Sequence, residues 1–196
     1  MIDKYVEDIE KALKVESYFS ALALSLALPD ICGNVEYPNE TVSDRYKKWC
    51  NVNLSDIFEN DKDNICADNP YLSGEVIFSL RNLFLHQGEP NINIDRIRDV
   101  DNKMDQFVIV LDDNTTFSQF SIKYSVRDNE CVFKKLVVDV TYLCRSICEE
   151  ASKYYLQNKD KFVPFANVMT KEDFLNDNSV HSIKDLISSK IHNKNI

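Results

Sequence analysis

The apolar residues Ile2, Tyr5, Val6, Ile9 and Leu13 recur at intervals of three and four, the spacing of an amphipathic helix over residues 2–14. A second helix is predicted from Glu16 to about Leu28. It is apolar nearly all round, through Tyr18, Phe19, Ala21, Leu22, Ala23, Leu24 and Leu26, so it is expected to be covered on more than one side. Pro29, Asp30 and Gly33 read as its stop signals. Thr41 caps a third helix running to about Cys50, with Asp44 at the capping-box position. Residues 51–70 are polar and rich in Asn and Asp, and read as a long loop with at most one short helical turn. Ser73 caps a fourth helix, Gly74 to Gln87, which stops at Gly88 with Pro90 beyond it.

The period then changes. FVIVL at 107–111 reads as a buried strand, Phe120, Ile122, Tyr124 and Val126 alternate within 116–126, and a turn at Arg127-Asp128-Asn129 leads to a third extended run, Val132 to Val138. These three runs predict a small antiparallel β-meander. A long helix from Thr141 to about Gln157 follows, and the tail carries two short capped helices, at Thr170 with Asp173 and at Ser182 with Asp185. The expected fold class is therefore mostly α, a helical bundle with a meander inserted before its last long helix. We read one domain over 1–196: a helical core at 1–104, the meander at 105–140, the long helix at 141–158 and an extension at 159–196.

Composition narrows the function classes. The chain has only three glycines, Gly33, Gly74 and Gly88, and they are too scattered for a P-loop or a dinucleotide fingerprint. A net charge of −9 argues against global steering toward nucleic acid or an anionic membrane. The longest apolar stretch, Ala21–Leu28, is shorter than the ~20 residues of a membrane span. The acidic start (Asp3, Glu7, Asp8, Glu10) is unlike a secretory signal, so a cytoplasmic protein without membrane attachment is expected. None of the six cysteines forms a C-x-x-C pair, and Cys144 and Cys148, four apart, lack further ligands. Free thiols, no metal and no cofactor are expected.

The segment GEVIFSLRNLFLHQ concentrates the chemistry. At ~100° per residue, Glu75, Ser79, Asn82 and His86 share one polar stripe, flanked by Val76, Ile77, Phe78, Leu80, Leu83, Phe84 and Leu85. Buried polar groups need partners, and a cleft or a second subunit would supply them. Asn82 and His86, four apart, face the same way, whereas Arg81 lies about 140° from His86 and must curl back to meet it.

Arg81-Asn82-Leu83-Phe84-Leu85-His86 resembles the signature of the HEPN superfamily (higher eukaryotes and prokaryotes nucleotide-binding domain): Arg, a polar residue that is often Asn, three variable residues, then His. The stretch SALALSLALPDICG and the HQG after the motif are similar to uncharacterised bacterial members. The resemblance covers roughly residues 1–90, together with the helix at 141–157. The strands lie outside the family's core pattern. It implies a dimeric, metal-independent endoribonuclease of the kind found in toxin–antitoxin, phage-defence and RNA-processing systems, with an antitoxin or defence partner. In that reading His86 moves protons at the 2′-hydroxyl or leaving oxygen. Arg81 grips the phosphate in two-pronged fashion, and Asn82 orients the imidazole or donates to phosphate. Asp30, Glu75 and Ser79 are candidate supporting residues.

Other roles fit the same residues. His86 can serve the terminal carbonyls of its helix, Arg81 can be a structural partner of Asp30, and Asp30 can cap or break the chain after Pro29. A catalytically silent binding or immunity protein is the competing function. Arg45-Tyr46-Lys47-Lys48-Trp49 interleaves bases and aromatics, which makes Arg45, Lys47 and Lys48 candidate RNA contacts, although Tyr46 and Trp49 also suit the core face of a solvated helix. Arg96 and Arg98 alternate with acids, and His181 and His192 sit in a polar tail.

Overall fold

The computed structural model describes residues 1–59, 71–87, 106–111, 120–128, 130–162 and Lys171, with the backbone alone at 86–87, 106–107, 120–124, 130–132 and 134. Two units divide the chain, Met1–Phe162 and Val163–Ile196. Of the second, only the exposed, helical Lys171 is described. The remainder of the expected tail helices, with His181 and His192, lies outside the described residues, as do Arg96, Arg98, Gly88 and Pro90.

The first unit is mostly helical. Helix α1 (Ile2–Lys14) buries Ile2, Ile9 and Leu13, the stripe expected from its period. A turn through Glu16, whose φ of 58° lies in the left-handed region, leads to α2 (Tyr18–Ser25). Here the structure departs from the sequence reading. The helix does not run to Leu28 and stop at Pro29; it ends at Ser25, and α3 (Leu28–Glu36) starts with Pro29 in its first turn. Proline is suited to that position because first-turn N–H groups have no intrahelical acceptor. Gly33, read as a stop, is internal to α3. A Cβ there would lie 2.8 Å from the carbonyl oxygen of Arg45, so α3 and the next helix cross too closely for a side chain.

That helix, α4 (Val42–Asn53), starts as expected at Thr41, whose Oγ1 accepts from the Asp44 N–H at 3.2 Å. A 3₁₀ turn (Asp56–Phe58) is the one helical turn described in the loop that follows. Helix α5 (Gly74–Gln87) has the expected bounds, with Ser73 Oγ accepting from Val76 N–H at 3.4 Å. Gly74 marks the second close crossing of α4: its N–H donates to Asn51 Oδ1 at 2.6 Å, and a Cβ would lie 2.4 Å from the carbonyl oxygen of Lys47.

The sheet contains β1 (Gln106–Val110), β2 (Phe120–Arg127) and β3 (Glu130–Asp139). The three strands do not form the expected antiparallel meander. The strand order is β1-β3-β2, with β1 parallel to β3, in register Phe107 to Leu136 and Ile109 to Val138, and only β2 antiparallel to β3. A two- to five-residue hairpin loop would force β1 and β2 together. The connection over 111–119 is longer, which frees β2 to pair on the far side of β3. The β2–β3 turn is tight, as expected, with Asp128 at φ 53° and a register shift between Ser125 and Val126.

Helix α6 (Val140–Gln157) begins at the residue after β3 ends. Asp139 Oδ1 accepts from Tyr142 N–H at 2.7 Å and caps it. Leu143, Cys144, Ile147, Cys148 and Ala151 bury its inner face, and α6 packs against α1, α2 and α3. The core joins these residues to Leu22, Leu26, Leu28, Tyr46, Trp49, Ile77, Leu80, Leu136 and Val138. By length and mean hydropathy (1.3), Tyr18–Glu36 is apolar enough to cross a membrane; it spans the α2–α3 break, and 44% of it is buried within the protein.

Candidate functional site

Helix α5 presents Val76, Ile77, Leu80 and Leu83 to the core, and its four residues Glu75, Ser79, Arg81 and Asn82 are half-buried. Arg81 Nη1 donates to Asn82 Oδ1 at 2.9 Å, and its Cζ lies 5.9 Å from the ring centroids of both Tyr46 and Phe78. The two rings are 5.3 Å apart and tilted by 58°, so they form an aromatic wall against which the cation rests. Tyr46 is fixed in turn by its hydroxyl, which donates to the Leu26 carbonyl at 3.0 Å, and burial pushes its phenol pKa well above the ordinary value. The Nε of Arg81 is buried and has no hydrogen-bond partner among the described residues.

Asp30, from the first turn of α3, faces this cation with Oδ2 3.8 Å from Arg81 Nη2. Its Oδ1 accepts from Arg45 Nε at 3.0 Å and Nη2 at 2.8 Å, while Arg45 Nη1 donates to Asn34 Oδ1 at 2.7 Å. The three side chains are only 17% (Arg45), 18% (Arg81) and 25% (Asp30) exposed, so their charges act on one another with limited screening. Arg81, Asn82, Asp30 and Arg45 thus come together from α3, α4 and α5. His86 follows Asn82 by one helical turn, and its side chain lies outside the described residues.

The other expected residues go elsewhere. Glu75 pairs with Lys47 at 2.6 Å, about 9 Å along α5 from Arg81 at 1.5 Å per residue. Lys47 also sits 5.3 Å from the Phe78 centroid. Lys48 pairs with Glu40, and this hydrogen bond raises the ammonium pKa. Each of the three candidate RNA-contacting cations therefore already has a carboxylate partner. Lys47 and Lys48, with Glu40, Thr41, Asp44 and Glu75, line an open cleft of about 570 Å³. Its three carboxylates outnumber its two ammonium groups. Tyr46 and Trp49 belong to the core and do not reach this surface.

Two features of the Arg81 site carried no sequence signal. Asn34 and Asp30 reach Arg45 from one face of α3 only because that helix opens at Leu28 and runs on past Gly33. Phe78, part of the apolar flank of α5, turns out to share Arg81 with Tyr46.

Among the described residues, no group of three or more His, Cys, Asp or Glu side chains is placed to hold a metal ion. Cys32, Cys50, Cys144 and Cys148 are buried free thiols. Burial pushes Cys32, Cys144 and Cys148 up to about 12, which keeps them protonated and poor as nucleophiles or ligands at neutral pH. Chemically, the arrangement offers a guanidinium held flat against two rings, an amide beside it and a second guanidinium across a shared carboxylate. Comparison with protein-family models, with curated proteins and with solved structures gives no match to this chain.

Proposed function

We propose that the chain is a HEPN-like, metal-independent endoribonuclease that works as a homodimer in the cytoplasm, as a toxin or phage-defence component. The observation that carries this reading is the pairing of Arg81 with Asn82 on α5, one turn before His86, with the guanidinium backed by Tyr46 and Phe78. In this reading Arg81 binds the scissile phosphate and stabilises the charge that builds on it. His86 moves a proton between the 2′-hydroxyl and solvent or the leaving oxygen, and Asn82 holds Arg81 and orients its neighbours. One chain supplies one such histidine, so an acid and a base require two chains.

The apolar surface beside the motif suits that assembly. Phe19 on α2 is 57% exposed and its ring lies 5.8 Å from that of Phe84, with Leu85 also exposed. A second copy covering this patch would bring two α5 C-terminal turns together. The test is cleavage of total RNA by the purified protein, with and without EDTA, beside His86→Ala. EDTA-resistant cleavage that vanishes in the variant supports the reading, and cleavage that needs magnesium overturns it.

A second reading, a catalytically silent dimeric binding or immunity protein, is favoured by one observation: Arg45, Lys47 and Lys48 are all neutralised within the chain. It predicts a dimer that leaves RNA intact under every condition of the same assay.

A further inference from the structure

Among the described residues, the cluster around Asp30 is one negative charge short. Two guanidinium groups share one carboxylate, and they share it unequally. Arg45 directs the edge formed by Nε and Nη2 at Asp30 Oδ1, with both hydrogen bonds made. The same edge of Arg81 is open: Nε is buried without a hydrogen-bond partner among the described residues, and Nη2 stands 3.8 Å from Oδ2, an ion pair too long for a hydrogen bond. A guanidinium presents paired donors in a fixed fork, and leaving the fork unfilled in a partly desolvated site is costly. Asn34 and Asn82 hold the Nη1 groups of Arg45 and Arg81, so both forks are kept in place without help from Asp30.

We propose that Arg45 and Arg81 form a single anion site for one RNA phosphate group, in which Asp30 is the resident counter-ion that the phosphate displaces. The proposal rests on the ribonuclease reading above and extends it by making Arg45 a phosphate-binding residue and Asp30 a gate on affinity. The two non-bridging oxygens of a phosphodiester are spaced much like the oxygens of a carboxylate, so one phosphate satisfies the fork on Arg45 and the open fork on Arg81 together. Asp30 has somewhere to go. It lies in the first turn of α3 and is 25% exposed, so the side chain already borders water near a helix N-terminus, which favours a carboxylate.

The test uses a fluorescein-labelled 2′-O-methyl RNA oligonucleotide, which binds without being cleaved, and follows anisotropy across a salt series. Asp30→Asn is expected to tighten binding by about three- to tenfold and to steepen the dependence of log K on log salt by about one. Adding Arg45→Gln in that background is expected to remove the gain. Equal or weaker binding by a folded Asp30→Asn protein overturns the proposal. Should that variant fail to fold, the ¹³C carboxyl resonance of Asp30 in the wild-type protein decides: it is expected to move to the position of a solvated carboxylate at saturating oligonucleotide, and an unmoved resonance overturns the proposal. Cleavage of unmodified RNA is scored separately. Tighter binding by Asp30→Asn with no cleavage by any variant upholds the anion site and sinks the ribonuclease reading. Cleavage by the wild type with affinity indifferent to Asp30→Asn does the reverse.

Discussion

Arg81 donates to the amide oxygen of Asn82, its own chain neighbour, at 2.9 Å. Adjacent residues on a helix point about 100° apart, so the contact exists only because the long arginine bends round the helix and is held there by the Tyr46 and Phe78 rings. The motif is thereby a preassembled pair in which the amide and the guanidinium restrain each other.

Within the ribonuclease reading, the members of the motif fail differently. His86→Ala is expected to lower the cleavage rate by ~10²–10⁴-fold, the usual contribution of general acid–base catalysis, with RNA affinity almost unchanged. Arg81→Lys keeps the charge but loses the fork and the flat contact with two rings, and is expected to slow cleavage and weaken binding together. Asn82→Ala is expected to be milder, because the rings still hold the arginine. Single-turnover rates and affinities measured on folded dimers check all three. A rate unaffected by His86→Ala would remove the histidine from the chemistry.

Gly33 and Gly74 make the helix crossings testable without any activity. Alanine is ordinarily the better helix residue by about 1 kcal/mol, so either substitution would stabilise an unhindered helix. Here the added Cβ meets backbone, at 2.8 Å for Gly33 and 2.4 Å for Gly74, and backbone cannot step aside as a flexible side chain can. Gly74→Ala is expected to destabilise by about 1–3 kcal/mol, the usual range for overpacking, with Gly33→Ala the smaller effect. Denaturant midpoints check both the sign and the order.

The proposed dimer is probed at the aromatic patch. Phe19→Asp and Phe84→Asp place a charge in the apolar surface beside α5, and each is expected to shift light-scattering mass to that of one chain, 22.7 kDa. Wild-type protein that is already monomeric at micromolar concentration would exclude the composite site.

The buried thiols set an alkaline limit on stability. Cys32, Cys144 and Cys148 hold their protons to about pH 12 in the folded protein, because burial penalises the thiolate, against an ordinary value of 9.0. Above about pH 9 the unfolded chain releases protons that the folded chain retains, so stability falls as pH rises. The loss runs from about pH 9 to pH 12 and reaches roughly 1.4 kcal/mol per pH unit for each thiol. Denaturant midpoints from pH 7 to 11 are expected to be flat at first and to fall beyond pH 9. A midpoint unchanged from pH 9 to 11 would mean that these thiols are not shielded from water.

Helix edges with local chemistry were legible in the sequence: α1 from its apolar period, α4 and α5 from the Thr41 and Ser73 caps, and α6 to within a residue. The α2–α3 break was not, since Pro29 carries the same local signal whether it follows a helix or opens one. Strand order was hidden for a different reason: alternation specifies which residues are extended but not which strand lies between two others. At the candidate site, the spacing on α5 leaves open whether Arg81 reaches His86, whose side chain lies outside the described residues, while the Arg81–Asp30 ion pair is one that the sequence offers. The pairing of Arg45 with Asp30 was not foreseen, because it depends on how α3 and α4 cross at Gly33, a tertiary event with no counterpart in local spacing.

The absence of any linker between β3 and α6 makes the sheet a phase setter for the bundle. Asp139 is at once the last residue of the strand and the cap of the helix, so the rotational position of α6 about its axis is dictated by the pleat of β3. Inserting a single residue at this junction would turn the helix by about 100°, swinging Leu143, Cys144 and Ile147 away from α1, α2 and α3.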